Sequence, residues 1–405
     1  MNKHTPEITE GERDKVLAVA RELAEEFDRL GAQVDAQTRF PLETVPLYKA
    51  SGLASIAVPR RWGGLGADVG TVAAVGRELA RGDAAIALSY NMHQVMVGIF
   101  RNTTALDDAG KERILGQVAA DNLLLCGPFS EARAGLTGLA DTVAVPQPGG
   151  GWKLSGRKNW STLIEASDLI ATNATITDAD GRIPEDFREH AARETTFVFP
   201  KASPGVSIDH TWDTLGMRAT GSHTLVLDEV PVGADAAAGN FRQGLIGEAE
   251  WSALGFAGVY LGLADRAYEE TRKAVAKKHT GATMSGNDSA AASVGYVQYV
   301  LGRMRYELDV AERAFEATAA MAIDGRFEQW PEASRKVRWD VAKVATTEAA
   351  ISITDQGLRL VGGASFRRGH ILERLFRDAR AGINHSFGTD QLFDYYGRYE
   401  LGLVG

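Results

Sequence analysis

The spacing of apolar residues changes twice along the chain, and this constrains the fold more than any single motif. The first stretch has helical spacing. Val16, Ala20, Leu23, Phe27 and Leu30 recur at steps of three and four behind Thr9 and Glu12, which stand at capping-box distance. Further helices are predicted near 41–51, 71–82, 84–101 and 108–120. From about 122 the pattern becomes short runs rich in Val, Ile, Thr and Leu, separated by Gly, Asp and Pro. The predicted strands are Leu123–Cys126, Thr142–Val145, Trp152–Ser155, Leu169–Thr177, Thr195–Phe199, Gly205–Ile208 and His223–Leu227, and Asp178–Glu194 reads as a long exposed excursion. After about 240 helical spacing returns in three stripes. These are Leu254, Ala257, Leu261 and Ala264; then Val294 through Leu308 to Phe315; then Val337, Val341, Val344, Ile351 and Leu358.

Strands without interleaved helices close into a barrel or sandwich. Long amphipathic stripes bury themselves by packing as an antiparallel bundle. The chain therefore reads as mainly α with a central β domain. The expected parts are an N-terminal helical domain (1–121), a middle antiparallel β-barrel (122–238) and a C-terminal four-helix bundle (239–405).

Charge and composition exclude several classes. The formal charge of −9 argues against nucleic acid or an anionic membrane as main partner, because both need a basic face. Cys126 is the single cysteine, so no internal disulfide forms, which fits a reducing cytoplasm. The N-terminal residues are polar, and no apolar run approaches the ~20 residues of a membrane helix. Histidines 4, 190, 210, 223, 279 and 370 show no ligand spacing, and HExxH, CxxC and GxSxG are absent. The glycine-rich stretch Val58–Gly66 lacks the Lys-Ser/Thr and the strand-to-helix frame of a phosphate loop.

Six motifs in register resemble the acyl-CoA dehydrogenase superfamily over nearly the whole chain. Gly52–Pro59 with Trp62–Gly66 looks like its N-terminal segment, and Cys126-Gly-Pro-Phe-Ser-Glu-Ala-Arg-Ala-Gly135 is similar to its "TEPxAG" loop. Gly156-Arg-Lys-Asn-Trp-Ser-Thr162 resembles "GxKxWIT", and Leu215–Ser222 with Asp228–Pro231 resembles the end of the barrel. Val361–Phe366 and Arg377–Arg380 resemble the C-terminal block. The resemblance implies FAD, with Phe129, Ser130, Trp160, Ser161 and Thr162 at the isoalloxazine ring. It puts Arg359, Gly362 and Gly363 at the pyrophosphate of a neighbouring subunit, and Thr389 and Gln391 at the "GTxQ" contacts. Such an arrangement implies a homotetramer or homodimer. The family's Arg-x-x-Phe-Gly reads Lys277-Lys-His-Thr-Gly281 here, which loses the bidentate fork and the aromatic face and leaves FMN open.

A dehydrogenase of this family needs a carboxylate base, because an α-proton and a hydride leave together. The residue before Gly388-Thr389 is Phe387 where most members have Glu, and the alternative position on the first bundle helix is Ser252. Glu248 and Glu250 lie nearby on other faces of that helix. The block Arg377–His385 instead resembles flavin monooxygenases of the same fold, such as dibenzothiophene monooxygenase, in which a His sits near the flavin. His385 and His93 are then the expected catalytic residues, since imidazole both donates to a flavin–oxygen adduct and accepts from an acidic substrate.

The leading expectation is an oxygen-activating flavoenzyme acting on an acyl-CoA thioester or an aromatic small molecule, served by a flavin reductase or another electron-transfer partner. An acyl-CoA dehydrogenase or oxidase with an unusual base, and a non-catalytic interaction protein that keeps the fold, are the alternatives.

Overall fold

The computed structural model describes residues 7–132, 138–178, 181–240, 249–280, 289–385 and 388–403. Helix α1 (Glu10–Gln37) starts at Thr9, whose hydroxyl accepts from the Glu12 amide while the Glu12 carboxylate accepts from the Thr9 amide. Its buried stripe is the one the sequence spacing marks, from Val16 through Phe27 to Leu30. Helices α2 (Thr44–Ala50), α3 (Val69–Gly82), α4 (Ala84–Asn102) and α5 (Asp108–Asp121) complete the first block. Asp83 caps α4 by accepting from the amides of Ala85 and Ile86, and α4 is buried along nearly its whole length.

The middle of the chain forms one curled seven-stranded sheet in the order β1-β4-β2-β3-β7-β6, with β5 added to β4. The strands are β1 (Leu125–Cys126), β2 (Val143–Pro146), β3 (Trp152–Lys158), β4 (Leu169–Ile176), β5 (Glu194–Pro200), β6 (Val206–Asp209) and β7 (Thr224–Val232). Leu154, Ile170, Phe197, Leu225 and Val230 fill its core. Most pairings are antiparallel, as expected, but β1 and β2 both run parallel to β4. The two-residue side-chain period reports strands and their buried face, not their direction. The excursion after β4 also contains a short helix, α6 (Phe187–Arg193), opened by Asp186 accepting from the amides of Arg188 and Glu189.

The last block holds α7 (Ala249–Lys277), a two-strand hairpin of β8 (His279–Thr280) and β9 (Ser289–Ala290), then α8 (Gly295–Ile323), α9 (Glu332–Val361), α10 (Ile371–Ala379) and α11 (Thr389–Glu400). Helix α7 packs against α3, α4, α8 and α9, so both helical blocks share one core. Its crossing of α3 depends on two glycines. A Cβ at Gly258 would stand 2.1 Å from the Ala73 carbonyl oxygen, and one at Gly262 would stand 2.2 Å from that of Arg77. Among the described residues no helix is long and apolar enough to cross a membrane.

Candidate active site

Three chain segments meet at one end of the sheet. The first follows β1 through Phe129 and Ser130, the second follows β3 through Trp160, Ser161 and Thr162, and the third is the stretch 220–223 before β7. The Asn159 amide donates to the Ser130 carbonyl at 2.8 Å, and the Cys126 thiol donates to the Thr162 carbonyl at 3.1 Å. The Ser161 amide donates to the His223 carbonyl at 3.0 Å, and the Thr162 and Ser222 hydroxyls share a hydrogen bond of 2.8 Å. These ties hold Trp160 in a left-handed conformation, φ 56°, with its side chain 64% exposed. A non-glycine residue pays about 1–2 kcal/mol to sit there, so the surrounding bonds fix a large aromatic face outward at a cost. Ser161 is buried and its hydroxyl turns back to the Lys158 carbonyl, which leaves Trp160, Thr162, Phe129 and Ser130 to present groups outward.

Behind this shelf lie three residues that sequence spacing did not join. Glu165, His210 and His223 bring ligand-type atoms within 4.8 Å of one another. The Trp212 amide donates to Nδ1 of His223 at 3.1 Å, which puts the neutral ring's proton on Nε2, 3.2 Å from Nδ1 of His210. Burial and the neighbouring His210 both push the His223 imidazole below its usual value. Coordination through Nε2 would require that proton on Nδ1, facing the Trp212 amide. The tautomer selected by the fold is thus a hydrogen-bonding one, and the cluster braces the Trp160 turn through the His223 carbonyl.

The C-terminal segment reaches the same region. Arg377 donates to the Leu215 carbonyl at 3.0 Å, and the buried Asp378 carboxylate accepts from the Met217 amide at 2.5 Å. A short 3-10 turn over Arg380–Asn384 then delivers His385. Its ring stacks on Phe256 with centroids 4.7 Å apart, and its Nδ1 lies 2.9 Å from the Tyr260 hydroxyl. The Lys343 ammonium donates to the His385 carbonyl. Desolvation, reinforced by the Lys343 charge, pushes the imidazole down to about 3. Phe256, Tyr260 and Lys343 were absent from the sequence reading, because all three stand in helical stretches whose spacing reads as core. For Tyr260 and Lys343 the one sequence signal is polarity, since a buried phenol or ammonium needs a partner, while Phe256 carries none.

His93 has a different setting. It is fully buried on α4, with Nε2 2.7 Å from the Ala54 carbonyl and Nδ1 accepting from the Leu125 amide at 2.9 Å. Burial pushes it down to about 4. Both ring nitrogens are engaged by backbone, so His93 ties α4 to β1 and to the turn at Ala54. The structure therefore gives it a joining role. Glu250, on the first turn of α7, is buried and accepts from the Asn102 amide group at 3.0 Å, while Ser252 lies on the same helix. Glu248 and Phe387 lie outside the described residues.

A second group of expected cofactor residues lies at helix ends. Lys277 is exposed in the last turn of α7, beside Lys278, whose ammonium donates to the Val361 carbonyl at 3.0 Å. Helix α9 ends at Gly362, φ 77°, and no atom lies within 4 Å of a Cβ built on Gly363. Arg359 is exposed and paired with Asp355 at 2.8 Å. At the start of α11, Gln391 accepts from the Gly388 amide at 3.1 Å, and the buried Thr389 hydroxyl has no hydrogen-bond partner among the described residues.

These features fit a flavin. An exposed indole offers a stacking face, an orphaned buried hydroxyl calls for a ligand group, and open glycines allow backbone to approach a phosphate. A helical frame around a curled sheet, carrying such a shelf, defines a flavin-dependent oxidoreductase.

The chain belongs to the acyl-CoA dehydrogenase family. Models of that enzyme's N-terminal, middle and C-terminal domains match residues 9–122, 129–230 and 254–389. It is 32% identical to the putative acyl-CoA dehydrogenase YdbM of Bacillus subtilis over 372 residues, 90% of each chain. It is 26% identical to the dibenzothiophene monooxygenase of Mycolicibacterium goodii, covering 91% of this chain and 89% of that one. The crystal structure of FMN-bound TdsC from Paenibacillus sp. A11-2 superposes with a TM-score of 0.83 at 23% identity, over 96% of this chain and 98% of that chain.

Proposed function

We propose that this flavoenzyme is an oxygenase, which activates dioxygen with a reduced flavin to oxidise an acyl-CoA thioester or an aromatic small molecule. The observation that carries the proposal is the C-terminal catalytic segment. No acidic residue stands between Asp378 and Asp390, and the polar side chain held there is a neutral imidazole, His385. Asp378 itself is buried and committed to the Met217 amide. Removal of an α-proton requires a positioned base of adequate pKa, and an imidazole held near 3 is a poor one. An imidazole N–H is well suited to hydrogen-bonding an oxygen anion.

The flavin ring would rest on Trp160 and Phe129, with Ser130 and Thr162 at its polar edge, while Ser161, turned back to the Lys158 carbonyl, would support the turn from behind. Lys277, Arg359, Gly362, Gly363, Thr389 and Gln391 would hold the remainder, some of them from a neighbouring protomer. FAD suits that full set, whereas FMN needs only the shelf and the phosphate contacts. When bound and reduced, the flavin supplies the electrons for oxygen activation. The protein's own groups do the rest: Phe256 and Tyr260 shield the site from water, Lys343 anchors the His385 backbone, and His385 donates a hydrogen bond. A flavin reductase is the proposed electron source, and the cytoplasm the proposed location.

Dehydrogenation remains a second reading, favoured by the match to YdbM and by the carboxylate of Glu250 on α7. Two measurements on the flavin-loaded protein separate the readings. Reduced holoprotein should consume dioxygen, and label from 18O2 should enter an aromatic probe such as indole. Butyryl-CoA should not bleach the oxidised flavin without air. Rapid anaerobic bleaching by butyryl-CoA would overturn the oxygenase proposal.

A further inference from the structure

We propose that Tyr260 is a positioning residue that locks His385 as an Nε2–H hydrogen-bond donor. This deepens the reading of His385 as a site residue and rests on it.

Tyr260 lies on α7 one turn after Phe256, so both rings face the same neighbour. The phenol is fully buried, and among the described residues the hydrogen-bond partner of its hydroxyl is Nδ1 of His385, at 2.9 Å. A buried hydroxyl that donates to nothing costs about 1–3 kcal/mol. The O–H therefore points at Nδ1, and Nδ1 must offer its lone pair. Burial holds the phenol's own pKa well above normal, with the Asp378 charge adding to the effect, so the proton stays on the oxygen.

The ring's charge is set by its neighbours on the other elements. Lys343 of α9 binds the His385 carbonyl, and its positive charge disfavours a second positive charge close by. A neutral imidazole with a free lone pair on Nδ1 carries its one proton on Nε2. No described residue accepts from that Nε2–H. Phe256 restrains the ring plane by stacking at an interplanar angle of 23°. The outcome is a fixed, uncharged donor with an open N–H, able to serve an oxygen anion but with no lone pair left to take a proton.

That restricts the substrate. It must present an acceptor oxygen already anionic or strongly polarised, such as a phenolate or an enolate, or else the oxygen anion arises from reduced dioxygen.

The tautomer can be read directly by 15N NMR of holoprotein labelled in histidine, with the His385 signals assigned by their absence in His385→Gln. The expected spectrum shows unprotonated Nδ1 and protonated Nε2, unchanged between about pH 6 and 8, the range in which a free imidazole titrates. In Tyr260→Phe the Nδ1 shift should move toward the protonated position as the two tautomers mix. A wild-type spectrum with protonated Nδ1, or identical His385 shifts in Tyr260→Phe, would refute the proposal. If the variant does not fold, the wild-type spectrum alone decides. The spectrum is independent of turnover, so a fixed Nε2–H tautomer in a protein that incorporates no 18O would refute the oxygenase reading and leave this one standing.

Discussion

Burial removes water from His93 and pushes its imidazole down to about 4, and two backbone groups then take both nitrogens. Substitution by alanine would leave the Leu125 amide without a partner and the Ala54 carbonyl with only a long contact of 3.5 Å from the Gln94 side-chain amide. Each orphaned group costs about 1–3 kcal/mol, so His93→Ala should lose roughly 2–5 kcal/mol of stability, measured as a lower urea midpoint. The acid dependence follows from the same burial. A histidine whose native pKa is depressed is neutral when folded and charged when unfolded between the two values, so the unfolded chain binds more protons there. The wild type should therefore lose stability as pH falls from about 6.5 toward 4, and His93→Ala should lose part of that slope. An unchanged midpoint in the variant would mean that the two backbone groups find other partners. The sequence marked His93 and His385, through their resemblance to flavin monooxygenases of this fold, as expected catalytic residues. It could not show which nitrogen meets what, because the partners come from Ala54, Leu125, Tyr260 and Lys343, each far away in sequence.

At the scale of elements, helical spacing was the clearest signal. A helix repeats its buried face every turn, and the capping box at Thr9 and the stripes of α1, α7 and α8 appear where the spacing marks them. The α9 stripe does not: Val341 is exposed, Val344, Ile351 and Leu358 are half-buried, and the helix buries Trp339, Ala342, Ala350, Ile353 and Leu360 instead, because its core face carries small and polar residues that apolar spacing passes over. Strand direction and the joints between elements were not legible, since they depend on partners remote in sequence. One such joint is the buried contact of α10 with the stretch before β7 and with α1 and α4. Asp378 accepts from Met217, Arg377 pairs with Asp35 at 2.6 Å, and Arg374 lies 3.5 Å from Asp83. Desolvation, with the Asp83 charge next, raises Asp378 from 3.8 to about 7. An acid held above its ordinary value is protonated in the folded chain and ionised in the unfolded one across that window. The folded chain then binds more protons, so this group's contribution to stability falls as pH rises from about 4 to 7. Asp378→Asn keeps an acceptor for the Met217 amide and cannot ionise. Its melting temperature should exceed that of wild type at about pH 8 and approach it at about pH 5. Equal slopes for the two proteins would show that Arg374 and Arg377 keep the carboxylate ionised and stabilised throughout.

For the molecule as a whole, the surface carries more apolar area than one protomer uses. On α8 the buried side is Met304, Leu308, Ala311 and Phe315, while Tyr296, Tyr299 and Tyr306 are 63%, 69% and 69% exposed. At about 100° per residue these tyrosines fall within one arc of roughly 80°, so they form a stripe and are not scattered. Phe366, just after the open Gly362–Gly363 pair, is 83% exposed. Contiguous exposed aromatics are unusual on a monomer and mark association surfaces. The proposed sharing of a flavin between protomers requires an assembly of this kind. Light scattering of the purified protein should then give a multiple of the 43.5 kDa chain mass. Tyr299→Glu combined with Tyr306→Glu puts a charge into the middle of the stripe and should shift the mass toward a single chain. Flavin should dissociate from this variant more readily than from wild type, with little change in helical content by circular dichroism, since neither tyrosine packs in the core. A wild-type mass of one chain at every concentration tested would remove the assembly, and with it the sharing of a flavin between protomers. A dissociated variant that held flavin as tightly as wild type would keep the assembly and confine the cofactor to the Trp160 shelf and its own protomer.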